Sequence, residues 1–497
     1  MFKTLYTLLL LGSITSWSPN SDANLLITAG VVQPSLPPAE QPVIRQQQTQ
    51  SLPTTVTDYL KQKNVSPDSL RVFVQDVNAD APLLLHNVDQ PSSPASVMKL
   101  LTTWSSLKVL GPAWTWSTEA WARGEITDGV LNGDLIIKGY GDPFLVYESF
   151  WQFVNDLRLK GLREIRGDII IDNSFFDIPA IDPAAFDGNP GRVYNAPPSA
   201  TMFNFQASRI VYNANPAAGK VDLAIFPAPR GVTIDNQLKL VEGDCSRGNA
   251  RPIVSRTSSG TIIAKGNYAV SCGSQTTTMI LSTPEELVYQ AFADFWTQLG
   301  GTLTGSYKVD SVKTGDKRIH VHVSSPLAEQ VRLINKWSNN VMTRQLLLTM
   351  GAKLFGGKAT LDKGRAAVLY VLKQQGISTD GIIIDNGSGL SRAERVTARQ
   401  LSQLLQVVWR DPYMPELLNS LPLLGQDGTL AGRFRHSELQ GRGRFKTGTI
   451  DGVSGLAGYL LTRSGKRMLI VIIFNGSQSG AYGQAVQNML LEWVFEQ

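Results

Sequence analysis

The texture of the chain changes twice, and that double change constrains the fold more than any other feature of its 497 residues. Near the start, residues 71–77 and 83–85 flank a polar turn at 78–80 and read as a hairpin. From Ser96 the apolar Val97, Leu100, Leu101, Trp104, Leu107 and Leu110 recur at helical spacing, and Gly111-Pro112 stops the helix. Between about 115 and 320 the pattern breaks into short β-rich runs (135–137, 168–172, 221–226, 261–264) separated by Gly, Pro, Asn and Ser clusters. Helical periodicity then returns through 327–348 and 363–375. Residues 456–461 and 467–474 read as adjacent core strands around a Ser464-Gly465 turn, and 483–495 as a closing amphipathic helix. The two ends therefore fit together as one α/β unit, interrupted by inserted β-containing domains. The length agrees, since chains divide into domains at roughly 150 residues each and this one allows about three.

Composition narrows the class. Hydrophobic residues make up 42% and charged residues 18%, so a large core is available without metals or crosslinks. The net charge of +5 is modest, and the absence of a long basic run argues against nucleic acid as a partner. Residues 1–23 read as a secretory signal, with Lys3 ahead of an apolar run at 5–17 and Ser21-Asp22-Ala23 as the cleavage site. That run is too short to span a membrane, and no other stretch approaches the roughly 20 residues needed. Residues 24–55, with Pro34, Pro37, Pro38, Pro42 and a Gln/Thr-rich run, read as a linker. In an oxidising compartment Cys245 and Cys272, the only cysteines, are expected to form a disulfide rather than a metal site, which would need further ligands. His320 and His322 alternate on one strand face and are expected as a surface pair, a poor zinc site.

Three short motifs carry chemistry. Ser96-Val97-Met98-Lys99 places a hydroxyl and an amine one helical turn apart, which suits a nucleophile and its base once burial and a neighbouring cation lower the lysine. Alone it is a weak signal, and Ser105-Ser106-Leu107-Lys108 repeats it by chance. Ser338-Asn339-Asn340 lies between helical runs, so a short loop is expected; the Ser338 hydroxyl can relay a proton, and the Asn340 amide can hold Lys99 and bind a substrate carbonyl. An ordinary polar helix junction fits that tripeptide equally well. Lys446-Thr447-Gly448-Thr449 is expected on a strand near a sheet edge. The ammonium and the threonine hydroxyls suit a carboxylate, and Gly448 leaves room for an extended peptide. Backbone N–H groups of Ser96 and Thr449 would then form an oxyanion hole. Lys313-Thr314-Gly315, in a polar turn ahead of Ser338, reads as a decoy.

In this order and in these elements the motifs make the chain resemble the active-site-serine penicillin-recognising enzymes, and most closely the low-molecular-mass class C penicillin-binding proteins, the D-alanyl-D-alanine carboxypeptidase/endopeptidase family. The resemblance extends through Gly139-Tyr140-Gly141-Asp142-Pro143, Tyr194-Asn195-Ala196-Pro197-Pro198, Asp385-Asn386-Gly387-Ser388-Gly389-Leu390-Ser391-Arg392 and Gly425-Gln426-Asp427-Gly428-Thr429-Leu430. It implies an α/β (α+β) serine β-lactamase/DD-peptidase-like catalytic domain, split in sequence, with two inserted β-rich domains. The expected partition is a signal segment over 1–23, a linker over 24–55, the catalytic domain over 56–118 and 319–497, inserted domain II over 119–141 and 219–318, and inserted domain III over 142–218.

The resemblance also implies a mechanism: Ser96 attacks the D-Ala-D-Ala carbonyl, Lys99 takes its proton, Ser338 helps protonate the departing D-alanine, and water hydrolyses the acyl-enzyme. Asn340 and Lys446 complete the catalytic set, with Thr447, Gly448 and Thr449 binding substrate. Arg392 and Tyr194 match residues with which the family recognises the far end of the peptide side chain. Two positions depart from the pattern: Asn189 stands where an acidic partner is usual, with Asp187 the nearest carboxylate, and Asp451 replaces a more usual neutral residue. The expected partners are peptidoglycan stem peptides and β-lactams; neither a metal nor another cofactor is expected. The expected location is the periplasm or cell envelope, with peripheral association to wall or membrane allowed. The competing readings are a β-lactamase or esterase on the same fold, and a wall-binding scaffold without catalysis. Pro415-Glu416-Leu417-Leu418-Asn419 resembles a β-lactamase deacylation motif but reads as a helix end.

Overall fold

A computed structural model describes residues 51–246, 248–250 and 252–497. The expected signal segment and nearly all of the expected linker lie outside the described residues. The unit built from the two ends of the chain comprises, in order, α1 (Thr54–Gln62), β1 (Leu70–Asp76), β2 (Leu84–His86), α2 (Lys99–Leu110), α3 (Leu327–Trp337), α4 (Asn340–Phe355), α5 (Leu361–Gln374), α6 (Ala398–Arg410), α7 (Met414–Ser420), β3 (Gly443–Ile450), β4 (Val453–Leu461), β5 (Arg467–Asn475) and α8 (Ser479–Phe495). Its five strands form one sheet in the order β3-β4-β5-β1-β2, in which β1 from the start of the chain pairs antiparallel with β5 from its end, Leu70 opposite Phe474. The hairpin of β1 and β2 sets Phe73 against Leu85.

Both faces of this sheet are covered, which explains why β5 reads as an unbroken apolar run rather than an alternating one. Phe73, Ala457, Tyr459, Leu469, Val471 and Ile473 pack under α2 to α6, with Trp104, Leu346 and Leu405 fully buried among them. Val72, Val74, Leu456, Leu460, Ile470 and Ile472 pack on the other side against Val56 and Leu60 of α1 and Val486, Leu490, Leu491 and Val494 of α8. α1 overlaps the segment expected as linker: Leu52 is buried and the helix starts at Thr54. Two apolar residues at i and i+4 leave too faint a periodicity to read, and their partner α8 lies more than 400 residues away.

The insert leaves and re-enters at adjacent points, where the Ser324 N–H donates to Trp116 O and the Trp116 N–H to Ser324 Oγ, both at 2.9 Å. A seven-stranded sheet comes first, made from Ser117–Thr127, Val130–Gly139, Glu164–Ile165, Ile169–Asp172, Thr302–Leu303, Tyr307–Val309 and Lys317–Val323. Its helices Tyr147–Leu159 and Pro284–Gln298 bury Phe150, Phe153, Phe292 and Trp296 against it. Two three-stranded sheets follow between 208 and 279, with their own core around Ile210, Tyr212, Ala264 and Tyr268.

Strand pairing therefore divides the insert differently from the expected partition. Ser208–Asn215, expected with 142–218, pairs with Lys220–Phe226 and Ser274–Met279, while Ile169–Asp172 returns to pair parallel with 135–138 in the first sheet. The returning strands are two to four residues long, too short to show a period in the sequence. The strands at 117–127 and 317–323 likewise belong to the inserted sheet, which moves the junctions to Trp116 and Ser324. His320 and His322 share one strand face as expected but are buried, not exposed: the helix Tyr147–Leu159 covers them, with the Phe153 ring 5.5 Å from His320.

Cys245 and Cys272 are bonded to each other across 27 residues of the second insert region. A crosslink closing a loop of that length contributes about 3 kcal/mol by restricting the unfolded chain. Cys272→Ser is therefore expected to accelerate proteolysis within 208–281 without accelerating it in the sheet of the chain ends; unchanged cleavage would show that the crosslink contributes nothing.

Candidate active site

Ser96 occupies a 3-10 turn, Ala95–Met98, that leads into α2. Ala95 before it has φ 46°, a left-handed conformation costing a non-glycine residue about 1–2 kcal/mol. Three backbones close on the turn and hold it there. A Cβ on Gly389 would lie 2.0 Å from Ala95 O, one on Gly448 would lie 2.6 Å from Pro94 O and 3.0 Å from Ser96 N, and one on Gly455 would lie 3.0 Å from Val97 Cγ2. The missing side chain at Gly448 is thus already required by the Ser96 turn itself. This is a different reason from the space for a peptide that the sequence suggests.

Lys99 is fully buried, and its Nζ lies 3.1 Å from Ser96 Oγ, 2.6 Å from Asn340 Oδ1, and against the Ser388 carbonyl. Burial, reinforced by the Lys446 cation and by Arg344, drives the amine well below its ordinary range, against an opposing pull from Glu394. The partners fit the neutral form: two N–H groups donate to the two carbonyl oxygens, and the lone pair is left for the Ser96 hydroxyl to donate to.

Ser338 joins α3 to α4 in the left-handed conformation, φ 56°, ψ 39°. The Asn339 side chain caps α4 by accepting the Met342 N–H at 3.0 Å, and from either side of it Asn340 Oδ1 accepts from Lys99 and Ser338 Oγ from Lys446. Lys446 of β3, also fully buried and pushed down to about 7 by that burial, donates to Ser338 Oγ at 2.9 Å and to Thr447 O at 2.8 Å. β3 is an edge strand of the sheet, as expected. Thr447 Oγ1 is 2.7 Å from Thr429 Oγ1, on the 425–430 turn that Asp427 holds by accepting from Lys336 Nζ at 2.6 Å and from the Leu423 N–H at 2.7 Å.

The remaining two residues lie at an exposed rim. The Arg392 guanidinium is 3.4 Å from the Asp451 carboxylate and 5.2 Å from the Phe186 ring. The Tyr194 hydroxyl donates to Asp187 at 2.6 Å, and Asn195 holds the same carboxylate at 2.8 Å. This insert segment is fastened to α4 by Arg344 donating to Ala196 O at 2.8 Å and Gln345 Nε2 donating to Ser199 O at 2.7 Å. The two decoys sit elsewhere: Lys108 pairs with Asp411, and Lys313 with Asp310 on the insert.

Residues 52–497 match the model of the D-Ala-D-Ala carboxypeptidase 3 (S13) family. The chain belongs to this family. It is a serine-type D-Ala-D-Ala carboxypeptidase of the low-molecular-mass class C penicillin-binding kind. It is similar to the D-alanyl-D-alanine carboxypeptidase of Actinomadura sp. (strain R39), 28% identical over 444 residues, which cover 84% of this chain and 80% of that one. The fold matches penicillin binding protein 4 (dacB) of Haemophilus influenzae with TM-score 0.75 at 23% identity, covering 90% of this chain and 100% of that one. The same Haemophilus protein complexed with a β-lactam matches at 0.72 and 22% identity.

Sequence reasoning missed several members of the carboxypeptidase site. Thr429 and Ser388 lie in segments already noted, but only their contacts with Thr447 and Lys99 reveal what they do. Arg344 is one of many arginines in the sequence, and Glu394 lies in a charged, surface-like stretch, yet both are buried within electrostatic influence of Lys99.

The buried lysines make stability depend on pH. Lys446 sheds its proton near 7 when folded but only near 10.5 when unfolded, so the folded state is penalised in full below 7 and relieved as pH rises between the two values. Glu394, pushed up to about 7 by burial, titrates below that window. The urea midpoint is expected to rise between pH 7.5 and 9.5, with a slope of at most about 1.4 kcal/mol per unit from this group, and to rise less in Lys446→Met. Equal slopes in the two proteins would refute the burial of a neutral Lys446.

Proposed function

We propose that the carboxypeptidase acts on peptidoglycan stem peptides with Ser96 as nucleophile and Lys99 as its base. The observation that carries this reading is the position of Lys99 Nζ, 3.1 Å from Ser96 Oγ and hydrogen-bonded at 2.6 Å to Asn340, with the amine form favoured by burial. Ser96 Oγ adds to the carbonyl carbon of the penultimate D-alanine while its proton passes to Lys99. Backbone N–H groups of Ser96 and Thr449 hold the oxyanion. As the C–N bond breaks, the departing amine takes a proton through Ser338, whose hydroxyl Lys446 holds at 2.9 Å. Water then cleaves the ester and frees Ser96.

In the same reading Lys446, Thr447 and Thr449 bind the terminal carboxylate. Arg392 and Tyr194 receive the side chain of the third residue at the rim. Crosslinked stem peptides present the same amide, so endopeptidase cleavage belongs to this proposal too. β-Lactams acylate Ser96 as substrate mimics, in keeping with the complex of the Haemophilus relative. The signal-like residues 1–23 support export to the periplasm or cell envelope, and among the described residues no helix is long and apolar enough to cross a membrane. The catalytic domain in this proposal is the unit of β1 to β5 and α1 to α8, and the inserted sheets present the rim.

Incubation with a pentapeptide ending in D-Ala-D-Ala should release D-alanine, and fluorescent penicillin should label the chain covalently. Ser96→Ala is expected to lose both by at least about a thousandfold. Labelling that survives this substitution would remove Ser96 as nucleophile. Rapid repeated turnover of a chromogenic cephalosporin would favour a β-lactamase, and muropeptide binding without cleavage a scaffold.

A further inference from the structure

The Lys99 base rests on a carbonyl that belongs to neither helix nor strand, so something must hold that carbonyl in place. Ser388 lies on a loop closed at its base by the paired backbones of Ile383 and Arg395, whose N–H and C=O groups exchange two hydrogen bonds of 3.0 Å. Inside the closure sits Glu394, with no exposed surface. Its Oε1 accepts three backbone N–H groups in succession, from Asp385 at 3.3 Å, Asn386 at 3.2 Å and Gly387 at 2.8 Å. Its other oxygen, Oε2, is buried with no hydrogen-bond partner. A backbone clamp needs only one acceptor, and a buried oxygen without a partner costs about 1–3 kcal/mol. An amide would satisfy the same three N–H groups without placing a negative charge beside the base.

We propose that Glu394 is a positioning residue for acylation, which fixes the Ser388 carbonyl on Lys99 through the 385–387 turn and supplies the negative charge that steadies the ammonium formed when Lys99 takes the proton of Ser96. The inference rests on Lys99 acting as the base. The charged groups around it agree with the role. Lys99 and Arg344 from α2 and α4 are the cations within its influence, and Asp385 on its own loop is the nearest like charge, itself held by Arg365 of α5 at 3.0 Å. Lys446 of β3 opposes the charging of Lys99, so Glu394 offsets part of that repulsion. Without this anion Lys99 would be a weaker base, neutral over a wider pH range but slower to take a proton.

That pairing of effects gives a signature that a merely structural glutamate would not produce. The experiment measures the second-order rate of labelling by fluorescent penicillin from pH 5 to 10 in the wild type, Glu394→Gln and Glu394→Ala, with thermal unfolding of each. Glu394→Gln keeps an acceptor for the three N–H groups and removes the charge. Its plateau, read on the alkaline side where the wild-type carboxyl is ionised, is expected to fall several-fold, and its acid limb to move toward lower pH. Glu394→Ala also loses the clamp and is expected to fall further, by about a hundredfold. Glu394→Gln with the wild-type limb and plateau would overturn the electrostatic role, and Glu394→Ala with the rate of Glu394→Gln would overturn the clamp. If Glu394→Ala does not fold, Glu394→Gln alone decides the electrostatic part. A wild type that is not labelled at all would instead defeat the catalytic reading on which the inference rests.

Discussion

A buried lysine amine whose charged form is disfavoured is the condition on which the rest of this structure depends. Burying an ammonium is costly unless a counter-charge accompanies it, and Lys99 and Lys446 are both fully buried within influence of each other. The fold hydrogen-bonds neither of them to a carboxylate, and Glu394 reaches Lys99 only through its charge and the 385–387 turn. The fold gives Lys99 two carbonyl acceptors and a hydroxyl, the partners an amine can use, and gives Lys446 the Ser338 hydroxyl and a backbone carbonyl. The cost of the charged form favours the free amine of Lys99, whose nitrogen lies 3.1 Å from Ser96 Oγ.

Holding those partners in place explains much of the architecture around them. Glycines at 389, 448 and 455 let three backbones press on the Ser96 turn and keep Ala95 in its strained conformation. The left-handed Ser338 separates α3 from α4, so that the Ser338 hydroxyl meets Lys446 and the Asn340 amide meets Lys99. The pairing of β1 with β5 joins the two ends of the chain and places Ser96 and Lys446 in one site. The insert leaves and returns at adjacent residues, so it adds the rim near Arg392 and Tyr194 without disturbing the sheet.

What is legible in the sequence is local. Ser96 with Lys99, Ser338 with Asn340, and Lys446 with its threonines each sit within a few residues of one another, and hydrophobic periodicity finds β4, β5 and the helices α2 to α5 and α8. The long-range part is not legible. Glu394 looks like a surface residue among Arg392, Arg395 and Arg399, because nothing local tells a buried carboxylate from a solvated one. The strand pairing of the insert is not legible, because strands such as Glu164–Ile165 and Thr302–Leu303 are too short to have a period and find their partners only across the fold. His320 and His322 alternate correctly, but which side of a sheet a helix covers is decided by packing, not by alternation.

The central claim concerns the protonation of one nitrogen, and it is tested most directly by carbon-13 NMR of protein labelled at the lysine ε-carbons, with Lys99→Met and Lys446→Met used to assign the two buried signals. The account predicts that the Lys99 signal has the shift of a neutral amine at pH 7.5 and titrates well below the exposed lysines. An ammonium shift for Lys99 that persists to pH 10 would contradict it.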